Sequence, residues 1–519
     1  MKQIFQDIRT GEAVVEEVPV PKPGPGMVLV RNGASLVSAG TERMVVDFAG
    51  KSLIGKARSR PDLVRQTLNK AQREGLLNTI EAVQNRLSAP MALGYSSAGV
   101  VVAVGEGVQA YRVGDRVACA GGGYAVHAEY VTVPVNLLAP LPDDVSYEAG
   151  AFGTLGAIAL QGFRLAEPQI GDRVAVIGLG LLGLLSVQIA AAAGCGVFGV
   201  DLNPERVALA RKLGVEAALV GEAEHAGAAF GSGTGFDTVL ICADTASDDP
   251  VRLAGELARD RATVVAVGAV GFNLPRKVYY TKELTFLVSR SYGPGRYDPV
   301  YEEAGVDYPI GYVRWTEGRN LAAFVDMLSR GLQVEPLITH RFPIEQGSDG
   351  YALISGKTEE PYLGVLFTYP LEALEEQASR IELKPGAAKS VDTVRVGAVG
   401  AGNFATAVLF PVLAKTRGVS LEGLATATGL KSVSAGKRFG FRFAAADAAE
   451  LLEDGAVNTL VIATRHGLHA QLAVQGLQAG KHVYCEKPLA LNAAELDEIW
   501  DVLAGSGRML TVGFNRRFA

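Results

Sequence analysis

Two rhythms alternate along this chain. Up to about residue 45, and again from GYSSAGVVVAVGEGV (94–108) to YVTVP (130–134), apolar residues alternate among Val-, Gly- and Pro-rich turns, which predicts strands. Between these stretches KARSRPDLVRQTLNKAQREGLLNTIEAVQNRL is charged. Leu63, Leu68, Leu76, Ile80, Val83 and Leu87 fall there at helical spacing, which predicts a helical insertion over 51–90. From 151 to 289 short apolar runs alternate with longer amphipathic ones, the pattern of parallel strands joined by helices. A helix is expected at 319–330, and the strands ITHRFP and YLGVLFTYP close that part. Residues 371–392 are charged and carry PGAAKS, which predicts a short helix and a linker; a second alternating unit fills 393–519.

A chain of 519 residues is too long for one core, so two or three domains are expected, and the fold class is α/β. The net charge of −6 gives no electrostatic reason for a nucleic acid or membrane partner. The charged N-terminus is not a signal peptide. None of Cys119, Cys195, Cys242 and Cys485 pairs at metal-ligand spacing, which fits reduced thiols of a cytoplasmic protein. The uncharged stretch 174–200 is long enough to cross a bilayer. Its glycines read instead as strand, tight turn, buried helix and strand.

Those glycines carry the first chemistry. Gly178, Gly180 and Gly183 have the G-x-G-x-x-G spacing between a strand and a helix that begins at Leu181. Such a turn lets a pyrophosphate rest on the helix N-terminus. Asp201 ends the next strand, where a carboxylate bonds an adenine ribose hydroxyl and repels a 2′-phosphate, so NAD is expected. A second turn has Gly400, Gly402 and Ala405, with Asn403 and Phe404 inside it. Its next strand ends in Thr426 and Thr428, with Lys431 beyond and no acid, so NAD or NADP is expected there.

The order of parts (a strand-rich start, GDRV, TLGAIAL, then GLGLLG) resembles the medium-chain dehydrogenase/reductase superfamily over residues 1–370. The resemblance implies a GroES-like domain over 1–150 and 290–370 around a Rossmann domain at 151–289, with Thr154 at the cofactor. The family's three catalytic zinc ligands fall on Ala39, Tyr95 and Gly153, none of which is a zinc donor, so a zinc-free site is expected. Tyr95, Glu42 or Thr41 is then the candidate proton donor or acceptor; the alternative is that they are plain cleft walls. Arg290, Arg296 and Arg314 lie in a Tyr-, Gly- and Pro-rich loop that either grips an anionic or hydroxyl-rich substrate or forms a dimer face.

The run NTLVIATRHGLHAQLAVQGLQAGKHVYCEKPLALN resembles the N-terminal Rossmann domain of the glucose–fructose oxidoreductase/inositol dehydrogenase family over 393–519. That resemblance implies Lys487 beside the nicotinamide, assisting proton transfer next to a Lys-Pro peptide, with Thr464, His469 and Glu486 lining the site. Without it, Glu-Lys-Pro is a charged turn. The family's sheet-containing substrate domain is not expected within 393–519. Together the two modules resemble bidomain oxidoreductases associated with surface-polysaccharide biosynthesis. This implies hydride transfer to or from a sugar or sugar-nucleotide alcohol or carbonyl. A non-catalytic NAD(H)-binding or sensing protein, or an active first module with the second as a dimerisation appendage, are the alternatives.

Overall fold

A computed structural model describes residues 1–7, 11–50 (the last six as backbone only), 90–231, 233–371, 378–384 and 394–514. The insertion expected at 51–90 lies outside the described residues, except for Pro90. The chain forms two compact units: Met1–Lys22, Val45–Ala92 and Glu372–Ala519 make one, and Pro23–Met44 with Leu93–Leu371 make the other.

In the Pro23–Leu371 unit a seven-stranded sheet centres on Met27–Val37, which pairs antiparallel with Ser96–Val104, Tyr130–Pro134 and Gly364–Thr368. Ser35 sits opposite Ser97 on one side and Phe367 on the other. A second, six-stranded sheet is wholly parallel. Its central strand Arg173–Ile177 has Gly196–Asp201 on one side and Phe236–Ile241 on the other. Val174, Ala175 and Val176 are fully buried, because helices cover both faces of such a sheet. The stretch long enough to cross a bilayer is strand, turn, helix Leu181–Ala192 and strand. Among the described residues no helix is long and apolar enough to cross a membrane.

Strands were expected to run to residue 45, but a helix spans Ala39–Gly50. Its start has a physical cause: the Ser38 N–H donates to Glu42 Oε1 at 2.9 Å while the Glu42 N–H donates to the Ser38 carbonyl at 2.8 Å. This closes the first turn much as a capping box does.

The other unit holds a seven-stranded sheet, parallel except for one edge strand. That edge strand, Arg380–Glu382, lies inside the stretch expected to be a linker. Its charges are used: Arg380 and Arg442 both reach Asp454 Oδ2, at 2.8 and 2.9 Å, and Arg442 also reaches Glu422 at 2.8 Å. The hairpin of Lys2–Gln6 and Ala13–Glu17 belongs to this unit too. Phe5 and Val18 pack with Leu430, Val433 and Ala444 in one buried cluster. The Val20 N–H donates to the Ala378 carbonyl at 3.0 Å, Lys22 meets Asp447 at 2.6 Å, and Glu16 pairs with Lys437. Strand alternation alone does not say which sheet a hairpin will join.

Phe5 is 8 % exposed, so Phe5→Ala should cost about 3 kcal/mol. The loss should appear as faster amide exchange in the helix Gly429–Phe439. Unchanged protection there would show that the hairpin contributes nothing to this unit.

Candidate functional site

The first nucleotide turn is built from close backbone approaches. Gly178 has φ +92°, and a Cβ there would lie 2.6 Å from the Ala243 nitrogen. A Cβ on Gly183 would run into the Gly178 carbonyl oxygen. Gly180 caps the helix Leu181–Ala192 in extended conformation with no side chain on the first N–H groups. Those donors are left for an anion. Asp201 is 7 % exposed, and its job is wider than expected. Oδ2 accepts the Leu179 N–H at 2.6 Å and Oδ1 accepts the Asn203 N–H at 2.8 Å. The carboxylate therefore ties the glycine turn to the end of the neighbouring strand, with Arg206 Nη1 3.9 Å away. Asp201→Ala should lower affinity for NADH and NADPH alike by at least tenfold, because two buried N–H groups lose their acceptor. A change only in the ratio of the two affinities, read by titration, would confine Asp201 to the ribose.

Tyr95 follows Gly94, whose φ is +91°. The His127 ring lies against that backbone; a Cβ would meet it at 2.8 Å. The Tyr95 hydroxyl donates to Ser38 Oγ at 2.5 Å, and Thr41 also bonds it. Burial pushes the Tyr95 hydroxyl up; the Ser38 and Thr41 bonds oppose this and the Glu42 charge adds to it. Thr154 Oγ1 donates to the Tyr95 carbonyl at 3.1 Å, which fixes the peptide at the start of helix Gly153–Leu165. Thr154 is itself fully buried, so it acts as a brace.

Glu42 is 3 % exposed and fully engaged. Besides the Ser38 N–H on Oε1, Oε2 faces His127 Nε2 at 3.2 Å and accepts from the Tyr351 hydroxyl. His127 Nδ1 lies 2.7 Å from Ser35 Oγ, which is 2.6 Å from the Tyr369 hydroxyl. Burial, then the Glu42 charge, holds the Tyr351 hydroxyl well above its ordinary value. Tyr95 and Glu42 thus converge on Ser38, with the hydroxyl, which Thr41 also meets, at the end of the network and the carboxylate inside it. Sequence reasoning missed Ser38, His127 and Tyr351. They are far apart in the chain and share no spacing; only the glycine before Tyr95 signals a ring packed on that backbone.

The loop after 289 is tightly built. Arg296 Nη1 meets Glu302 at 2.5 Å, Arg290 donates to the Arg296 carbonyl, and Arg314 stacks on Trp315. Tyr292 is buried, and Tyr95 is among the groups that act on its hydroxyl electrostatically. Glu317 opens helix Glu317–Ser329 and is fully buried, with neither carboxyl oxygen bonded among the described residues. Burial, then Glu302, pushes its carboxyl up to about 8 against Arg296 and Tyr292. The folded chain therefore keeps this proton at pH values where the unfolded chain has lost it. The resulting stability is present below about 4.5 and is lost as pH rises through about 8. Glu317→Gln should match the parent's thermal midpoint at pH 4 and exceed it at pH 8.5; equal midpoints at both would mean that Glu317 is not held neutral.

The second turn is looser. Gly400 has φ +95°, and a Cβ there would strike the Ala463 carbonyl, but Gly402 faces open space. Asn403 is exposed and Phe404 half-buried at the start of the helix, which runs through Ala405–Leu409 to Lys415. Thr426 Oγ1 donates to the Thr428 carbonyl at 2.7 Å. His469 was expected to line the site; it is 1 % exposed. Its ring lies between two backbone oxygens, Pro488 at 2.7 Å and Thr464 at 3.2 Å. It therefore braces Thr464 against the cis Lys487–Pro488 peptide. Glu486 Oε1 accepts the Tyr484 hydroxyl at 2.8 Å, and Lys487 is exposed at the strand end.

Three family profiles match the chain: an alcohol dehydrogenase GroES-like domain over residues 68–143, a zinc-binding dehydrogenase over 182–304, and an oxidoreductase-family NAD-binding Rossmann fold over 394–514. Probable D-xylulose reductase A of Arthroderma otae is 30 % identical over 256 residues, 42 % of this chain and 71 % of that protein. (R,R)-Butanediol dehydrogenase of Bacillus subtilis is 38 % identical over 154 residues, 24 % of this chain. The chain spans only 44 % of that relative's length. Among solved structures, galactitol-1-phosphate dehydrogenase of Escherichia coli shares the fold with a TM-score of 0.54 and 22 % identity, over 71 % of this chain and all of that one.

These matches correct the expectation of a cofactor set without zinc, because the profile over 182–304 is that of a zinc-binding dehydrogenase. The zinc-type alcohol dehydrogenase-like protein YphC of Escherichia coli is also 29 % identical across 78 % of its length. Substituted ligand positions are local facts, whereas a metal belongs to a whole donor set. Ala39, Tyr95 and Gly153 supply no donor, and among the described residues no group of three or more His, Cys, Asp or Glu could hold a metal.

Proposed function

The chain belongs to the medium-chain dehydrogenase/reductase family, with an NAD-binding Rossmann domain of the oxidoreductase family following in sequence, and we propose that it moves hydride between a nicotinamide and a sugar or sugar-nucleotide alcohol or carbonyl. The setting implied by the two modules is polysaccharide biosynthesis. The observation that carries this reading is the half-buried Tyr95, its hydroxyl bonded to Ser38 and its peptide held by Thr154.

Gly178, Gly180 and Gly183, with the open N-terminus of helix Leu181–Ala192, would hold the nicotinamide dinucleotide, which in the reducing direction would supply the hydride for the carbonyl carbon. Tyr95 gives its proton to the oxygen that becomes the alcohol, and a solvent proton restores the tyrosine through Ser38, whose hydroxyl takes that proton as it passes its own on. The Tyr95 hydroxyl carries its proton at neutral pH, as a donor must. Glu42 touches no substrate in this scheme; it positions Ser38 through the backbone N–H. Thr41 supplies a second hydroxyl partner to Tyr95. In the second module Gly400, Gly402, Asn403 and Phe404 would receive NAD or NADP. Lys487 would assist proton transfer there, with Glu486 beside it.

Tyr95→Phe should lower kcat by about 100-fold and leave NADH affinity unchanged. The assay is NADH absorbance across a panel of polyols, sugars and sugar nucleotides. Binding of NADH with no compound turned over would favour the sensing alternative and end this reading.

A further inference from the structure

Of the three arginines in the loop after 289, Arg314 is the one that, among the described residues, has no hydrogen bond or ion pair to that loop and meets it only by stacking on Trp315. Its guanidinium carbon lies 3.8 Å from the centre of the Trp315 ring, and that of Arg164, from helix Gly153–Leu165, lies 3.3 Å from the same centre. Two guanidinium groups that close cannot share one face without overlapping, so the indole lies between them. Neither has a carboxylate within ion-pair distance among the described residues. The one side-chain acceptor present is the neutral amide oxygen of Asn320, which takes Arg164 Nη1. Asn320 is fully buried and bonds the Tyr292 carbonyl at 2.8 Å and Gln161 at 3.1 Å, so the Arg164 side is rigidly held. Arg314 is exposed and Trp315 half-buried, so the rim of the indole is open to solvent.

Two like charges fixed on one aromatic plate with no counter-charge are costly for a fold to assemble. Burial, then the Arg314 charge, lowers Arg164 to about 10. Stacking orients the planar donors, and forked guanidinium groups match phosphoryl oxygens in geometry and charge.

We propose that Arg164, Trp315 and Arg314 form a binding site for a phosphoryl group, seated at the indole rim where both guanidinium forks reach it. The phosphoryl group comes either from the diphosphate of a sugar nucleotide or from a free phosphoryl ligand. The first source rests on the substrate reading above; the second does not, so the two fail separately.

The chain has two tryptophans, and Trp500 is 71 % exposed. Trp500→Phe therefore leaves Trp315 as the local reporter. In that background the full chain, saturated with NAD to fill the nucleotide turns, is titrated with pyrophosphate or with a uridine diphosphate sugar at constant ionic strength. Trp315 emission should shift and saturate, and Arg314→Gln, a surface change, should weaken the response at least tenfold. Arg164→Gln should do the same where it folds. A sugar nucleotide saturating at least tenfold below pyrophosphate identifies the source as substrate; equal midpoints identify a free phosphoryl ligand. An emission unmoved by both compounds, or an Arg314→Gln midpoint equal to the parent's, overturns the site.

Discussion

The Glu42 carboxylate has been taken out of water, and much of the Pro23–Leu371 unit is arranged around that fact. A buried charge persists only when its lone pairs are filled. Here the fillers come from three places: the Ser38 N–H one turn back, the His127 ring from the loop after residue 124, and the Tyr351 hydroxyl from helix Gly347–Ile354. His127 in turn engages Ser35, and Ser35 engages Tyr369. The network joins a strand, a helix start, a loop and the chain after the last strand of the sheet. It also sets the place of Tyr95, because Ser38 serves Glu42 with its backbone and Tyr95 with its hydroxyl. Movement of the carboxylate would move the hydroxyl with it. Removing one partner would leave a charge buried and short of a bond, so the network is expected to be kept or lost as a whole.

The two glycine turns were legible in the sequence because their demands are local. Gly178 meets the Ala243 backbone, Gly183 meets the Gly178 carbonyl, and Gly400 meets the Ala463 carbonyl; a Cβ fits none of these places. Asp201 was legible in position and not in full use. A carboxylate at a strand end suggests a ribose partner, but its closest bonds here are to Leu179 and Asn203. The helix at Ala39–Gly50 could have been found from Ser38 and Glu42, a cap and an acid one turn apart, had the Val-rich alternation not dominated that stretch. His127 and Tyr351 could not. Their contacts with Glu42 span 85 and 309 residues, and no local period records such a meeting. The zinc expectation failed for the opposite reason: it generalised from three local substitutions to a property carried by the family.

The modules use one device with different tolerances. In the first turn both glycines that meet backbone are needed, and the neighbouring strand end adds a bonded carboxylate. In the second, Ala405 stands where the first has Gly183, Gly402 faces open space, and the strand end carries hydroxyls. The sequence difference between an aspartate and a threonine therefore marks a difference in how the turn is held. His469 makes the same point. It was placed by resemblance as a lining group; its two nitrogens face the Pro488 and Thr464 carbonyls, so it also fixes backbone position there.

Burial sorts the charges of the loop after residue 289. Arg296 and Glu302 are both largely enclosed and answer each other, since either alone would be costly. Glu317, with no cation to itself, is instead held neutral near physiological pH, which is how a carboxyl survives without a partner. Arg314 is in water and can remain unpaired, but Arg164, half-buried against the same indole, can neither deprotonate at neutral pH nor reach a carboxylate among the described residues. The acids and bases of one short segment thus have three different fates: pairing, neutralisation, and a cation left without a counter-charge. Only the last has its complement outside the described chain, and this is why the physical argument leads from the indole to an anionic ligand and not from the more deeply buried pair.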